Sequence, residues 1–406
     1  MSTATPTPPG PKPPNVLWIV TTQWRAQACG YAGDVNARTP VLDALAAESV
    51  NYTQAVTPHP FGPFARAAML TGVPSPENGV ADYFDPLPIG ARTIAHAMNE
   101  RSYATAFFGK WHLSERERNV PLVGVQHAVS HVPEEARGGF AHWEGFEGGF
   151  QLNNPFLHGT ELPGATQFRG YQSDVVCERA LRWTDRFQSW FCVVSLEPPH
   201  PPYDARTPGV KPRNPSRLVL PPNVPRGGEF EARVRQELSG YHAHIEATDR
   251  ALEGLISVVA RENTIIVVTS VHGDMHGAHG LLRKGWPYEE SVRVPFLVRM
   301  PAGGARRDAS AVSLLDLPAM TQAWVDGRDW TAPSRAAKIS MPSVVALPHQ
   351  CDRPWRGVRT PARKLVLNAD GSPWLAFDLE RDPGESTNLA ADPARAAEFA
   401  GLRDLL

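Results

Sequence analysis

The sequence predicts an α/β protein whose sheet is covered by helices on both faces. Two observations carry this. Residues 15–21 and 264–270 are short, almost unbroken apolar runs of strand type, as strands buried on both faces are. Between them lie segments with helical spacing and recognisable start signals. In order, a strand over 15–21 is followed by Thr39-Pro40, which reads as an N-cap with proline at the first helical position, opening an amphipathic helix that carries Leu42 and Leu45. A helix is expected over 93–100 and a strand over 103–108. Ser173-Asp174 is expected to cap a helix reaching about Phe187, with a strand over 191–196 after it. A long helix over 229–260 leads into the strand at 264–270. Beyond about residue 332 the elements shorten, with strands near 364–367 and 375–379.

Composition sets outer limits. The chain has 406 residues, 42% of them hydrophobic, enough for one large domain and a smaller one. A formal net charge of −2 supplies no field to recruit nucleic acid or an anionic membrane, so neither is expected as a partner. A membrane-spanning helix needs about 18 or more consecutive apolar residues, and the sequence has no such run. Residues 1–13 form a Pro-rich lead-in, expected to be disordered and lacking an apolar signal region, so the cytoplasm is the expected location. Cys29, Cys177, Cys192 and Cys351 are scattered without CxxC spacing and indicate neither a disulfide framework nor structural zinc.

The motifs are more specific. The segment 61–72 reads FGPFARAAMLTG, with Arg66 followed by Ala67, Leu70, Thr71 and Gly72. Gly109-Lys110-Trp111-His112-Leu113, His142-Trp143-Glu144-Gly145-Phe146-Glu147, Glu197-Pro198-Pro199-His200-Pro201-Pro202-Tyr203 and Ser270-Val271-His272-Gly273-Asp274 follow in that order. With the opening strand 14–25 and the tail 378–385, this set resembles the type I sulfatases and their phosphonate monoester hydrolase relatives, in the alkaline phosphatase superfamily. The resemblance implies an alkaline-phosphatase-like sandwich: a large central mixed sheet flanked by helices, spanning 14–331, and a small C-terminal α+β subdomain over 332–406. Thr21-Thr22-Gln23 and Ser270-Val271-His272 then fall just beyond strand C-termini, the edge where open α/β sheets bind ligands.

The resemblance also marks departures. In the family a cysteine, oxidised to formylglycine, stands where this chain has Gly62, and Phe64 and Ala65 replace the Pro and Ser that follow it. The metal-binding aspartates correspond to Thr22 and Val271, leaving Gln23 and His272 at a degenerate metal site. A threonine hydroxyl is a weak ligand and valine is none, so no cofactor is expected. The alternative is a rebuilt Zn or Fe site using His272, His276 and His279, with His59, His200, His242 and His244 as further imidazoles. The cationic side of the pocket is retained. Arg66, Lys110, His112, His200 and Lys284 match positions that contact the nucleophile or the substrate's anion in the family. His200, His112, His272 and Lys110 are the expected acid-base groups, and Arg66, Lys284, Gly62 and Gln23 the expected substrate contacts. Trp111, Trp143 and Trp286 are expected to pack.

Three functions remain open at this stage. One is metal-independent acid-base or group-transfer chemistry on a small anionic metabolite. Another is a non-catalytic protein holding an anion or a partner subunit. The third is hydrolysis of sulfate, phosphate or phosphonate esters at a rebuilt histidine site. Homo-oligomers are expected by analogy with the phosphonate hydrolase branch.

Overall fold

The computed structural model describes residues 12–406, so the lead-in expected over 1–13 lies outside them save its last two residues. The strands are β1 (Asn15–Thr21), β2 (Val50–Tyr52), β3 (Ala104–Lys110), β4 (His142–Phe146), β5 (Phe156–Gly159), β6 (Leu162–Gln167) and β7 (Trp190–Ser195). After them come β8 (Thr264–Ser270), β9 (Phe296–Arg299), β10 (Arg306–Asp308), β11 (Ala337–Met341), β12 (Trp355–Arg359), β13 (Arg363–Asn368) and β14 (Pro373–Asp378). Ten of them form one mixed sheet in the order β10-β2-β9-β8-β1-β7-β3-β4-β5-β6. The last four form a separate antiparallel sheet, the small C-terminal subdomain.

The centre of the large sheet is parallel: β1 lies between β7 and β8, and β3 between β7 and β4. Alternate residues of these strands feed opposite cores, as the two-residue period of a strand requires. Val16, Trp18 and Val20 face one core, which the helices Gly62–Thr71, Ile94–Asn99 and Leu317–Val325 cover. Leu17 and Ile19 face the other, covered by Gln172–Thr184 and Gly228–Val259. Trp18 is fully buried, packs edge-on to Phe191 at 5.0 Å, and donates its indole N–H to Thr321 Oγ1 at 3.1 Å. Trp111 and Trp143 are also fully buried in this core, 6.3 Å apart, and Trp286 packs against it, so all three tryptophans pack as expected. The four cysteines are buried and unpaired.

Helix starts differ from the sequence expectation in an informative way. The first helix is Pro40–Ala47 and buries Leu42 and Leu45, but the Thr39 side chain does not cap it. The Thr39 hydroxyl instead bonds Asp43 and the Gly30 N–H. The cap comes from the long helix: Asp249 accepts from Val41 N at 3.0 Å and Leu42 N at 2.9 Å. Asp249→Ala is therefore expected to cost about 1–2 kcal/mol, like the loss of a local cap, measurable by denaturant unfolding; an unchanged midpoint would contradict the cap. Likewise Ser173 lies inside its helix and bonds Thr248 Oγ1, and that helix ends at Thr184, short of Phe187. Local sequence cannot show a capping group that lies some 200 positions away. No helix among the described residues is long and apolar enough to cross a membrane.

Candidate functional site

β1 and β8 run side by side in parallel register, Thr21 opposite Ser270, so Thr22 and Val271 leave the same edge of the sheet together. The edge also receives the end of β3 at Lys110, the end of β7 just before Glu197, and the first residues of the helix Gly62–Thr71. A cavity of about 590 Å³ opens there. Its polar wall is formed by Thr22, Lys110, His112, His200, His272 and Lys284, with the Gly62 backbone beside them. Gln23 and His112 both hold left-handed backbone, φ +71° and +60°, a conformation costly for non-glycine residues and concentrated at functional sites.

Lys284 sits at the centre of the polar wall. Its Nζ donates to Gln23 Oε1 at 2.7 Å and lies 3.0 Å from His200 Nε2. His200 donates from Nδ1 to the Pro201 carbonyl at 2.8 Å, which leaves Nε2 bare as an acceptor for the ammonium. Burial, reinforced by the Lys110 charge, pushes the Lys284 amine down to about 7. Lys110 is lowered by burial to about 8, although its Nζ pairs with Glu197 Oε1 at 2.6 Å. Behind Lys284, Asp274 accepts from Tyr203 OH at 2.5 Å and from Gln23 Nε2, and these donors with nearby His276 and Arg283 hold its carboxyl well below the usual range against burial.

His272 donates from Nδ1 to the Gly273 carbonyl at 2.9 Å, and its buried Nε2 has no partner. The same is true of His112 Nδ1. Burial first, and the neighbouring lysines second, hold both imidazoles well below their ordinary value, so each is neutral near pH 7. The pocket thus combines two ammonium groups with two unpartnered imidazole nitrogens.

Residues 14–326 match the model of the sulfatase family. The chain belongs to the sulfatase family. It is 31% identical to the ulvan-active sulfatase of Formosa agariphila, over 98% of this chain and 80% of that protein. It is 24% identical to an arylsulfatase of Clostridium perfringens, over 97% and 93% of the two chains. Among solved structures, the phosphonate monoester hydrolase of Agrobacterium radiobacter superposes with a TM-score of 0.73 at 21% identity, covering 97% of this chain and 94% of that one. That likeness bears on the fold, and agrees with the large mixed sheet and the small antiparallel subdomain.

Within this sulfatase fold, most of the residues expected at the site converge, but two stand back from it. Arg66 does not line the cavity. Its guanidinium is buried beneath the wall, donating to Thr22 Oγ1 at 2.7 Å, Ser195 Oγ at 2.6 Å and the Lys110 carbonyl at 3.2 Å. Gln23 likewise lies behind, between Lys284 and Asp274. Both are expected substrate contacts that instead position groups which do reach the cavity. The three histidines 272, 276 and 279 do not converge either. His276 packs against Tyr241 at 4.1 Å, and His279 stacks on Tyr288 at 4.0 Å. Among the described residues, the one cluster with metal-ligand spacing is His279, Glu290 and Glu385. All three of its members already have partners, for Glu385 binds Lys364 and Asn223 bridges Glu290 and His279.

Sequence reasoning overlooked Glu197, Asp274 and Phe150. The first two stand inside the motifs around 197–203 and 270–274, and an acid a few residues past a strand end was the available signal. Phe150 had none: it reaches the site from a loop and stacks on His200 at 4.5 Å.

Proposed function

We propose that this sulfatase-family protein binds a small anion on its own ammonium groups and acts by proton transfer, without formylglycine and without a divalent metal. The observation that carries the reading is Lys284, whose Nζ lies between Gln23 Oε1 and His200 Nε2 at 2.7 and 3.0 Å. The donor set does not fit a hard divalent cation, which takes about six or more oxygen ligands, carboxylates prominent among them. Thr22 Oγ1 donates to the Leu196 carbonyl and accepts from Arg66, Val271 offers no donor atom, and Gln23 Oε1 already accepts from Lys284. No step is therefore routed through a metal.

In the proposed chemistry, Lys110 and Lys284 hold the anion, where ammonium groups in a poorly solvated cleft count for more than in water. Lys284, with an amine lowered to about 7, is suited to give up a proton to the bound molecule near neutrality, while His200, held neutral by burial and the two lysine charges, orients the amine by accepting at Nε2. His272 Nε2 and His112 Nδ1 are buried and unpartnered, the latter against Gly62, on two imidazoles that line the cavity. Gly62 carries no nucleophile, and a Cβ added there would lie 2.9 Å from His112 Nδ1.

Two experiments test the reading. Elemental analysis of the purified protein is expected to find well under one Mg, Ca, Mn, Fe or Zn per chain, and sulfate binding measured by calorimetry is expected to survive a chelator. One bound metal per chain, with binding lost on chelation, would overturn it. Gly62→Cys is expected to show no aryl sulfate hydrolysis and to lose about 1–3 kcal/mol of stability through overpacking against His112. Detectable turnover by that single variant would refute the account of the nucleophile.

A further inference from the structure

The cavity has two unlike walls, and the second is apolar. Beside the polar groups the lining carries Phe61, Leu122, Val123, Phe150 and Leu347. Phe150 and Phe61 already pack against the cations: Lys110 Nζ is 4.9 Å from the centre of the first ring and Lys284 Nζ 5.4 Å from that of the second. Leu122 and Leu347 pack partly on the main core, while Val123 at the mouth is 64% exposed. A lone exposed valine needs no explanation, but one continuous with an apolar wall inside a cavity is positioned to meet a ligand.

The polar inventory of this lining is one-sided. None of the residues around the cavity is Asp, Glu, Asn or Ser. The side-chain amide present, Gln350, has its Oε1 occupied by the Lys284 N–H at 3.2 Å. Arg283 is held by both oxygens of Glu237, at 2.6 and 3.1 Å. A carbohydrate would bring many hydroxyl donors into the cavity, where Tyr83 and His349 are the further side chains able to receive them, and hydroxyls buried beyond that number are costly. The lining suits an anionic head on the lysines and a hydrocarbon body against the aromatic and aliphatic wall.

We infer that the ligand of this pocket is an amphipathic anion, a sulfate-, sulfonate- or phosphate-type head joined to an alkyl or aryl body, and not a sulfated sugar. This rests on the anion reading of the same site and names the class of molecule that it takes.

Three sulfonates with the same head separate the two ideas, because a C–S bond leaves nothing to hydrolyse as an ester: methanesulfonate, hexanesulfonate and sulfoquinovose. Calorimetry on the full chain is expected to find hexanesulfonate tighter than either of the others by about tenfold or more, since each buried methylene adds several-fold. The preference is expected to collapse toward unity in the Leu122→Ser/Leu347→Ser variant. The exposed Val123→Ser gives a smaller drop in the same direction, without a risk to folding. Equal binding of all three, or tighter binding of sulfoquinovose, would overturn the amphipathic assignment and leave anion binding standing. If no sulfonate binds, the anion reading falls and this inference with it.

Discussion

Replacing Lys284 by Met is expected to weaken sulfate binding about thirtyfold or more, the ordinary consequence of removing a buried charge partner. The same lysine fixes the pH dependence. Its amine is lowered to about 7, so the anion meets a charged Lys284 below that pH and a neutral one above it. Affinity is therefore full in mildly acidic solution and falls as pH rises through 7, by up to tenfold per unit. Lys110, lowered to about 8, adds a second step in the same direction. Stability of the unliganded protein has the opposite slope. Between about 7 and 10.5 the unfolded chain keeps a proton that the folded Lys284 has lost, so stability rises with pH across that window. Dissociation constants at pH 6 and pH 9 for the wild type and Lys284→Met decide the matter. A wild-type profile that stays flat would remove Lys284 from the binding site.

Lys110→Met is expected to destabilise the fold by about 3–5 kcal/mol, because it strands the carboxylate of Glu197 in the interior. Lys110 and Glu197 are 1% and 0% exposed and meet at 2.6 Å, while the second oxygen of Glu197 has no partner at all. The pair is expected to be worth little against a neutral replacement, so Lys110→Met/Glu197→Gln regains most of the loss. A double-mutant cycle in urea measures this coupling. A single-variant cost below about 1 kcal/mol would show that the fold does not depend on this ion pair and would overturn the expectation.

Much of this architecture could be read in advance because its strands are buried on both faces. Residues 15–21 and 264–270 have unbroken apolar centres, 16–20 and 265–268, and both observed strands have the expected bounds. The two edges of the large sheet were harder to see. β2 and β10 have three residues each, and β6 is largely exposed, so neither length nor alternation marks them. At the site, Lys110, His112, His200, His272 and Lys284 were legible from motifs anchored at strand ends. The withdrawal of Arg66 was not, since it depends on Thr22 and Ser195, which come from two different strands and lie on either side of its guanidinium. Phe150 and Leu347 come from loops whose course no local pattern specifies.

The buried guanidinium of Arg66 bears on how easily this pocket could change course. An aspartate introduced at position 22 would arise within hydrogen-bond reach of Arg66, and the two would neutralise one another before any dissolved cation could claim the carboxylate. An aspartate at 271, in a fully buried position, would be protonated or would unfold its surroundings. A side chain at 62 collides with the imidazole of His112. Each single step away from the present arrangement is penalised, and only several made together would be rewarded. The pocket is therefore interlocked: Arg66, the closed space at 271 and the His112 imidazole each fit the neighbours they now have, so a change of chemistry takes several substitutions at once.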